Sequence, residues 1–188
     1  MAEQTFTSGQ ILTAAQMTTL QTDVGLNWIS TTTMTTTSTA QFVSAFTSTY
    51  TNYRVLFSYT ASSTSAVYLR WLVGSTVQTG NILSQKIETQ LSLGTVVAAS
   101  RADQYGLIPA GYATYPSTYA IDIYSPQATA YSSYEINTGS LGVSNTDSIL
   151  QIGSGRNIVT TSFDGFEITT AGAPTLTGTM TLYGYRKS

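Results

Sequence analysis

From Trp28 onward, apolar residues recur at every second position, and this period of two constrains the fold more than any other feature. Side chains alternate between the two faces of a strand, so the period predicts strands that bury one face. One predicted face of 66–73 carries Val67, Leu69, Trp71 and Val73. The candidate strands are 28–38, 51–60, 66–73, 82–93, 104–113, 117–124, 129–137, 148–152, 165–170 and 176–185. Nine or ten short strands separated by turn residues predict an all-β chain, an antiparallel β-sandwich that is jelly-roll-like.

The surface of such a sandwich would carry very few charges. Threonine and serine supply 58 of the 188 residues, whereas charged residues make up 9%, well below the usual share of about a quarter. A soluble monomer normally interleaves charges of both signs on its surface. Sheet edges without charged side chains pair readily with other strands. We therefore expect a subunit that buries its edges in a symmetric homo-oligomer.

The residue types that are missing exclude several kinds of chemistry. The chain has no His and no Cys, which excludes a Ser-His-Asp triad, a Cys nucleophile, a Cys/His zinc site and a disulfide. We expect no cofactor and no metal. A net charge of −2 with only seven Lys and Arg argues against a nucleic-acid partner. No apolar run is long enough for membrane insertion, and the N-terminus lacks a signal peptide, so synthesis in a cytoplasm is expected.

Residues 1–30 differ from the rest and are predicted to form an N-terminal anchoring arm, with the β-sandwich domain spanning 31–188. Thr13 and Gln16 have the spacing of a capping box, which predicts a short helix over 14–23 that Gly25 closes. A helix of this length is not stable alone in water, so its apolar stripe must dock on its own domain or on a neighbour. The predicted assembly anchor consists of Met17, Leu20, Val24 and Trp28.

The threonine-rich segment 28–38 follows this anchor and is expected to be an edge or inter-subunit strand. Its hydroxyl groups would form hydrogen bonds across an interface. An ice-binding surface would instead need threonine-bearing strands that recur at a strict sequence repeat, and the sequence has no such repeat.

Acidic residues are the remaining catalytic candidates. Asp122 and Glu135 are predicted to point outward on one face, a few residues apart in register. We interpret them as solvated surface acids, because a glycosidase would need both in a cleft. Asp164 and Glu167 flank a glycine, and we interpret this segment as a turn before a strand rather than a calcium loop.

Tyrosines crowd the segment 105–134, where the sequence places Tyr105, Tyr112, Tyr115, Tyr119, Tyr124, Tyr131 and Tyr134. Sheet packing is the simpler interpretation, since Tyr is common in strands; a binding surface is the alternative. Tyr112 and Tyr115 lie between Gly111 and Pro116 in a predicted loop, and are the candidates for ligand contact.

Several segments resemble virion structural proteins of tailed bacteriophages. Residues 46–55 (Phe-Thr-Ser-Thr-Tyr-Thr-Asn-Tyr-Arg-Val) resemble the opening of a second strand in such proteins. Residues 165–168 (Gly-Phe-Glu-Ile) are similar to the penultimate strand of those proteins. Residues 178–186, which contain Tyr183-Gly184-Tyr185, are similar to their closing strand. The opening segment 6–15 is similar to the start of tail and fibre proteins.

The resemblance implies a non-enzymatic β-sandwich subunit on the outside of a virion, often a homotrimer. Such a subunit would contact other virion proteins and, through host attachment, a host surface glycan. A tail fibre or tail-associated protein is the first interpretation. A capsid decoration protein that stabilises the head is the first alternative, and a stand-alone glycan-binding module or carbohydrate-cleaving enzyme is the second.

Overall fold

The computed structural model describes residues 9, 11, 13–16, 25–90, 95–103, 106–111, 115–144 and 147–186. These residues contain thirteen strands. Their bounds are β1 Leu26–Thr37, β2 Thr39–Phe42, β3 Tyr50–Ala61, β4 Ser65–Val73, β5 Thr76–Gln78, β6 Ile82–Gln90, β7 Thr95–Asp103, β8 Gly106–Gly111, β9 Ser117–Tyr124, β10 Ser133–Ser144, β11 Asp147–Asn157, β12 Gly165–Thr170 and β13 Leu176–Arg186.

Two antiparallel sheets form a β-sandwich, which confirms the predicted fold class. The larger sheet has eight strands in the order β1-β13-β3-β9-β10-β11-β6-β7. The smaller has the order β2-β12-β4-β5, with β8 pairing β4 as well. The chain changes sheet repeatedly, from β2 to β3 to β4 and again from β11 to β12 to β13. This alternation between layers is jelly-roll-like, and the β10–β11 hairpin widens the larger sheet.

The core lies between the two inner faces and is rich in aromatic rings. Tyr53, Val55, Phe57 and Tyr59 of β3 are buried, whereas the residues between them are not fully buried. Trp71 from the smaller sheet stacks on Phe163 with ring centroids 5.3 Å apart. Each such buried side chain contributes roughly 1.5–3 kcal/mol relative to exposure. The period of two in the sequence thus corresponds to the buried face of the sandwich.

The strand bounds agree with the prediction most closely where alternation is strict. β9 and β12 have the predicted bounds, whereas β2, β5 and β7 were not predicted. β2 and β5 have only four and three residues, too few to display a period. Val73 is a correction: it is exposed, and Leu72 is buried instead, because β4 ends there and enters a turn at Gly74, whose φ is +60°.

The capping box at the predicted arm is formed. Gln16 N donates to Thr13 Oγ1 at 3.2 Å, and Thr13 N donates to Gln16 Oε1 at 2.9 Å. Residues 14–16 are helical, and Gly25 adopts a left-handed φ of +85°. Met17, Leu20 and Val24 lie outside the described residues, so the anchor role of these three residues and the division into arm and sandwich stay predictions.

Candidate functional site

β1 forms one edge of the eight-stranded sheet and confirms the prediction of an edge strand over the threonine-rich segment. Its strand partner in that sheet is β13. Thr31 Oγ1 lies 3.1 Å from Thr181 Oγ1, so two threonine hydroxyls share a hydrogen bond across this pair. Met34 is buried in the core, while most threonines of the strand are exposed or half-buried.

Trp28 is the residue of the predicted assembly anchor that the structure describes, and its anchor role stays a prediction. Its side chain is 65% exposed, and its Nε1 donates to Thr31 Oγ1 at 3.1 Å. Leu26, at the start of the same strand, is also exposed. The twelve residues of β1 include no charged residue and no proline, the two devices by which proteins usually protect sheet edges. Within the described part of the chain, this edge therefore combines a strand that lacks both protective devices with an exposed indole.

The predicted surface pair Asp122 and Glu135 is corrected in two respects. Asp122 is only 6% exposed, because Arg54 Nη2 donates to its Oδ2 and Tyr185 Oη donates to its Oδ1, each at 2.7 Å. Arg54 and Glu135 lie directly opposite Asp122 on the two neighbouring strands, so the acids are cross-strand neighbours rather than a few residues apart. Glu135 is exposed as predicted.

This network shows how the outer face of the sheet is held together. Burial, the hydrogen bond to Asp122 and the charge of Asp122 raise the pKa of Tyr185 to about 12. Tyr124 Oη donates to Glu135 Oε2 at 3.3 Å, and its pKa is raised by burial and then by the charges of Glu135 and Asp122. Both Asp122 oxygens are engaged, so the pair offers no second free acid for the paired mechanism of a glycosidase.

The acids around Gly165 serve two separate structural purposes. Gly74 N donates to both carboxylate oxygens of Asp164 at 2.9 Å, which closes the turn after β4. Glu167 is 1% exposed within β12, where it pairs with Arg70 and accepts a bond from Gln41 Nε2 at 2.7 Å. Within the described residues no cluster of three or more acidic side chains is placed to hold a metal ion.

The tyrosine-rich segment divides between packing and exposure. Tyr119 and Tyr134 are buried in the core. Tyr112 lies outside the described residues, and Tyr115 is half-buried, so their ligand role stays a prediction. Tyr131, which sequence reasoning did not single out, is 58% exposed, with the Arg156 guanidinium 5.9 Å from its ring centroid.

A depression of about 430 Å³ opens on the outer face of the eight-stranded sheet, across β10, β11 and β6. The residues that line it are Gln85, Ile87, Glu135, Ile136, Asn137, Ile152, Gly153 and Ser154. Sequence reasoning singled out Glu135 alone. The other residues come from the β10–β11 pair and from β6, which is distant from that pair in sequence, so the register of the sheet brings them together.

No family model and no curated protein matches this sequence. Among the described residues, no helix has both the length and the apolarity needed to cross a membrane. The function is therefore argued from the surface of the sandwich.

Proposed function

We propose that this chain is a non-enzymatic structural subunit on the exterior of a tailed phage particle, a tail fibre or tail-associated protein that assembles as a symmetric homo-oligomer, with a homotrimer expected. The arm 1–30 would anchor it to a neighbouring subunit. The sandwich would face outward, toward the host surface.

The observation that carries this proposal is the unprotected edge at β1. This strand of twelve residues has no charge and no proline, and β13 is its ladder partner among the residues that the structure describes. Its other side could therefore pair with a strand of another chain. Trp28 lies at the start of that edge with most of its ring exposed, and tryptophan is among the residues most enriched at the energetic centres of interfaces. An assembly that buries this edge would prevent aggregation through edge pairing, which helps a chain with so few charges to stay soluble.

The positions of the phage-like segments support the same proposal. Gly165-Phe166-Glu167-Ile168 lies in the penultimate strand, β12, and residues 178–186 lie in the closing strand, β13. Residues 46–55 precede and enter β3, which is the third strand and not the second strand that the resemblance implies. These are the places that the resemblance implies for the penultimate and closing strands.

Sedimentation velocity tests the assembly. We expect the purified chain to sediment as one oligomeric species, and Trp28→Ala to shift it toward the monomer because the exposed indole is lost. Tyr131→Ala is the matched control, since Tyr131 is similarly exposed but lies outside β1. A wild-type chain that remains monomeric at micromolar concentration contradicts the proposal.

A capsid decoration protein is the first alternative, and copy number separates it from a tail protein. Quantitative mass spectrometry of purified particles, with the major capsid protein as the internal standard, would give the number of copies per particle. A few copies, or copies that fractionate with tails, support the tail assignment. Copies in proportion to the capsid subunit support decoration of the head.

A further inference from the structure

The depression across β10, β11 and β6 has the composition of a small-molecule site, and it lies away from the β1 edge. We propose that it binds a neutral polyhydroxylated ligand, a sugar residue. This site goes beyond the structural role proposed above and does not depend on it. Its volume of about 430 Å³ falls within the range of about 300–1,000 Å³ that is typical of ligand pockets.

The register of the three strands arranges the lining residues in two adjacent rows. Glu135 lies opposite Ser154, and Ser154 lies opposite Gln85, which gives a polar row. In the next row Asn137 lies opposite Ile152, which lies opposite Ile87. Residues two apart along a strand share a face, so both rows point outward from the sheet.

Most polar side chains of this site form no hydrogen bond within the part of the protein that the structure describes. Among the described residues, the side chains of Gln85, Asn137 and Ser154 have no hydrogen-bond partner. Glu135 accepts one long bond, from Tyr124, on Oε2. By contrast, Lys86 and Glu88 on the opposite face of β6 are paired with each other at 2.8 Å. The depression therefore presents free donors and acceptors where neighbouring polar groups are satisfied.

The chemistry of these groups selects the ligand class. An anion would meet the Glu135 carboxylate with no Lys or Arg among the lining residues to compensate it. A simple cation would leave the amide N–H groups of Gln85 and Asn137 without acceptors. The neighbouring hydroxyl groups of a sugar can donate hydrogen bonds to the Glu135 carboxylate and accept hydrogen bonds from the side-chain amides of Gln85 and Asn137 at the same time. Ile87 and Ile152, both exposed, would contact the C–H face of a sugar ring.

Two-dimensional ¹H–¹⁵N NMR titration tests the proposal. The probes are the neutral methyl glycosides of glucose, galactose, mannose and fucose, with glucuronate and glucosamine as charged comparisons. We expect at least one neutral glycoside to shift the Gly153 and Ser154 amides saturably, with a dissociation constant in the millimolar range because the depression is open. A neutral oligosaccharide that binds more tightly than its monosaccharide identifies a glycan chain as the source, and equal affinity identifies a free sugar.

Matched variants test the assignment of residues. Glu135→Gln and Asn137→Ala should each weaken binding about tenfold, which is about 1.4 kcal/mol. Thr118→Ala should leave binding unchanged, because Thr118 is exposed outside the depression. Two results overturn the proposal: no neutral glycoside saturates, or glucuronate binds more tightly than every neutral probe.

The same samples separate this site from the assembly. Ile152→Ser should weaken sugar binding without a change in sedimentation. If Ile152→Ser instead dissociates an oligomer, the face is a contact between copies of the chain and the sugar site is wrong. A monomeric wild-type chain that still binds a glycoside contradicts the proposed assembly and leaves the sugar site supported.

Discussion

Gly155 gives the sharpest test of how the two sheets are packed. It lies directly opposite Tyr134 in the β10–β11 pair, and the Tyr134 ring is fully buried. A Cβ added at Gly155 would come within 2.5 Å of the Tyr134 Cε1 and Oη atoms. A Cβ at Gly106, on β8, would meet the same ring even more closely. The ring is therefore confined by the backbones of two strands from different sheets.

Gly155→Ala should accordingly destabilise the fold. Overpacking of a filled core costs roughly 1–3 kcal/mol, and the confinement of Tyr134 places this site near the upper limit. Alanine recovers about 0.5–1 kcal/mol because glycine loses more backbone freedom on folding. The net loss in the free energy of unfolding is about 2 kcal/mol, which lowers Tm by roughly 4–8 °C for a chain of this length. Thermal and urea unfolding followed by circular dichroism measures both quantities.

Two further variants identify the cause. Gly153→Ala lies two residues earlier on the same strand, and its Cβ would come no closer than 3.3 Å, to the Gln85 carbonyl oxygen, so its effect should stay below about 1 kcal/mol. Tyr134→Leu removes the obstructing ring, so Gly155→Ala in that background should cost little and the pair should couple by about 2 kcal/mol. Equal effects of the two glycine substitutions, or an additive double mutant, refute the packing argument.

The remaining predictions concern charge and backbone conformation. Arg70→Met should lower the free energy of unfolding by about 3 kcal/mol, because Glu167 is left buried without its cation. The double variant Arg70→Met/Glu167→Gln should recover part of this loss, and urea titration measures both changes. Tyr185→Phe should cost about 1 kcal/mol through the lost bond to Asp122. The pKa of Tyr185 is raised to about 12 in the folded state, above its unfolded value of about 10. The stability that the protonated Tyr185 hydroxyl contributes is therefore complete below pH 10 and disappears as the pH rises toward 12. Over this interval the urea midpoint should fall less steeply in Tyr185→Phe than in the wild type. Thr36 has a φ of +51°, which strains a β-branched residue, so Thr36→Gly should raise Tm by a few degrees, and an unchanged or lower Tm contradicts this.

The sequence predicts the fold wherever alternation alone decides burial. In β3, which the sequence predicts as a strand over 51–60, the four alternating residues from Tyr53 to Tyr59 are the buried ones. β7 was missed because its run of small apolar residues, Val96 to Ala99, has no alternation. Its place at the sheet edge comes from antiparallel pairing with β6, the preceding strand, and β6 in turn pairs with β11, which comes from a distant segment of the chain. Local pattern therefore identifies a strand, while the order of strands requires the tertiary structure.

The candidate sites were harder to predict than the strands. Asp122 was correctly placed on the outer face, but its burial depends on Arg54 and Tyr185, which lie more than sixty residues away in sequence. The depression combines residues from three strands, and its lining shows no local motif. Trp28 was named from the sequence as an apolar contact of the arm, whereas its exposure at the start of the edge strand comes from the structure.

The glycines of the phage-like segments also have a structural explanation. In the closing strand, a side chain at Gly184 would collide with the Tyr50 ring, and one at Gly178 with the Ser58 backbone. In the penultimate strand, a side chain at Gly165 would collide with the Phe42 carbonyl group. These glycines are required by close packing within the sandwich, so a resemblance that rests on them follows the fold.

The functions that we propose depend instead on two surfaces that contain none of these glycines, the β1 edge and the depression. Many functions share a single β-sandwich architecture, so a chain could keep the glycines and lose either surface. Lysines along β1 would preserve the packing of Gly178 and Gly184 while they block edge pairing. Thr33→Lys makes that change here at an exposed position, and we expect an unchanged Tm of the isolated subunit with a lower sedimentation coefficient. A variant that still assembles would show that the subunits meet through another face.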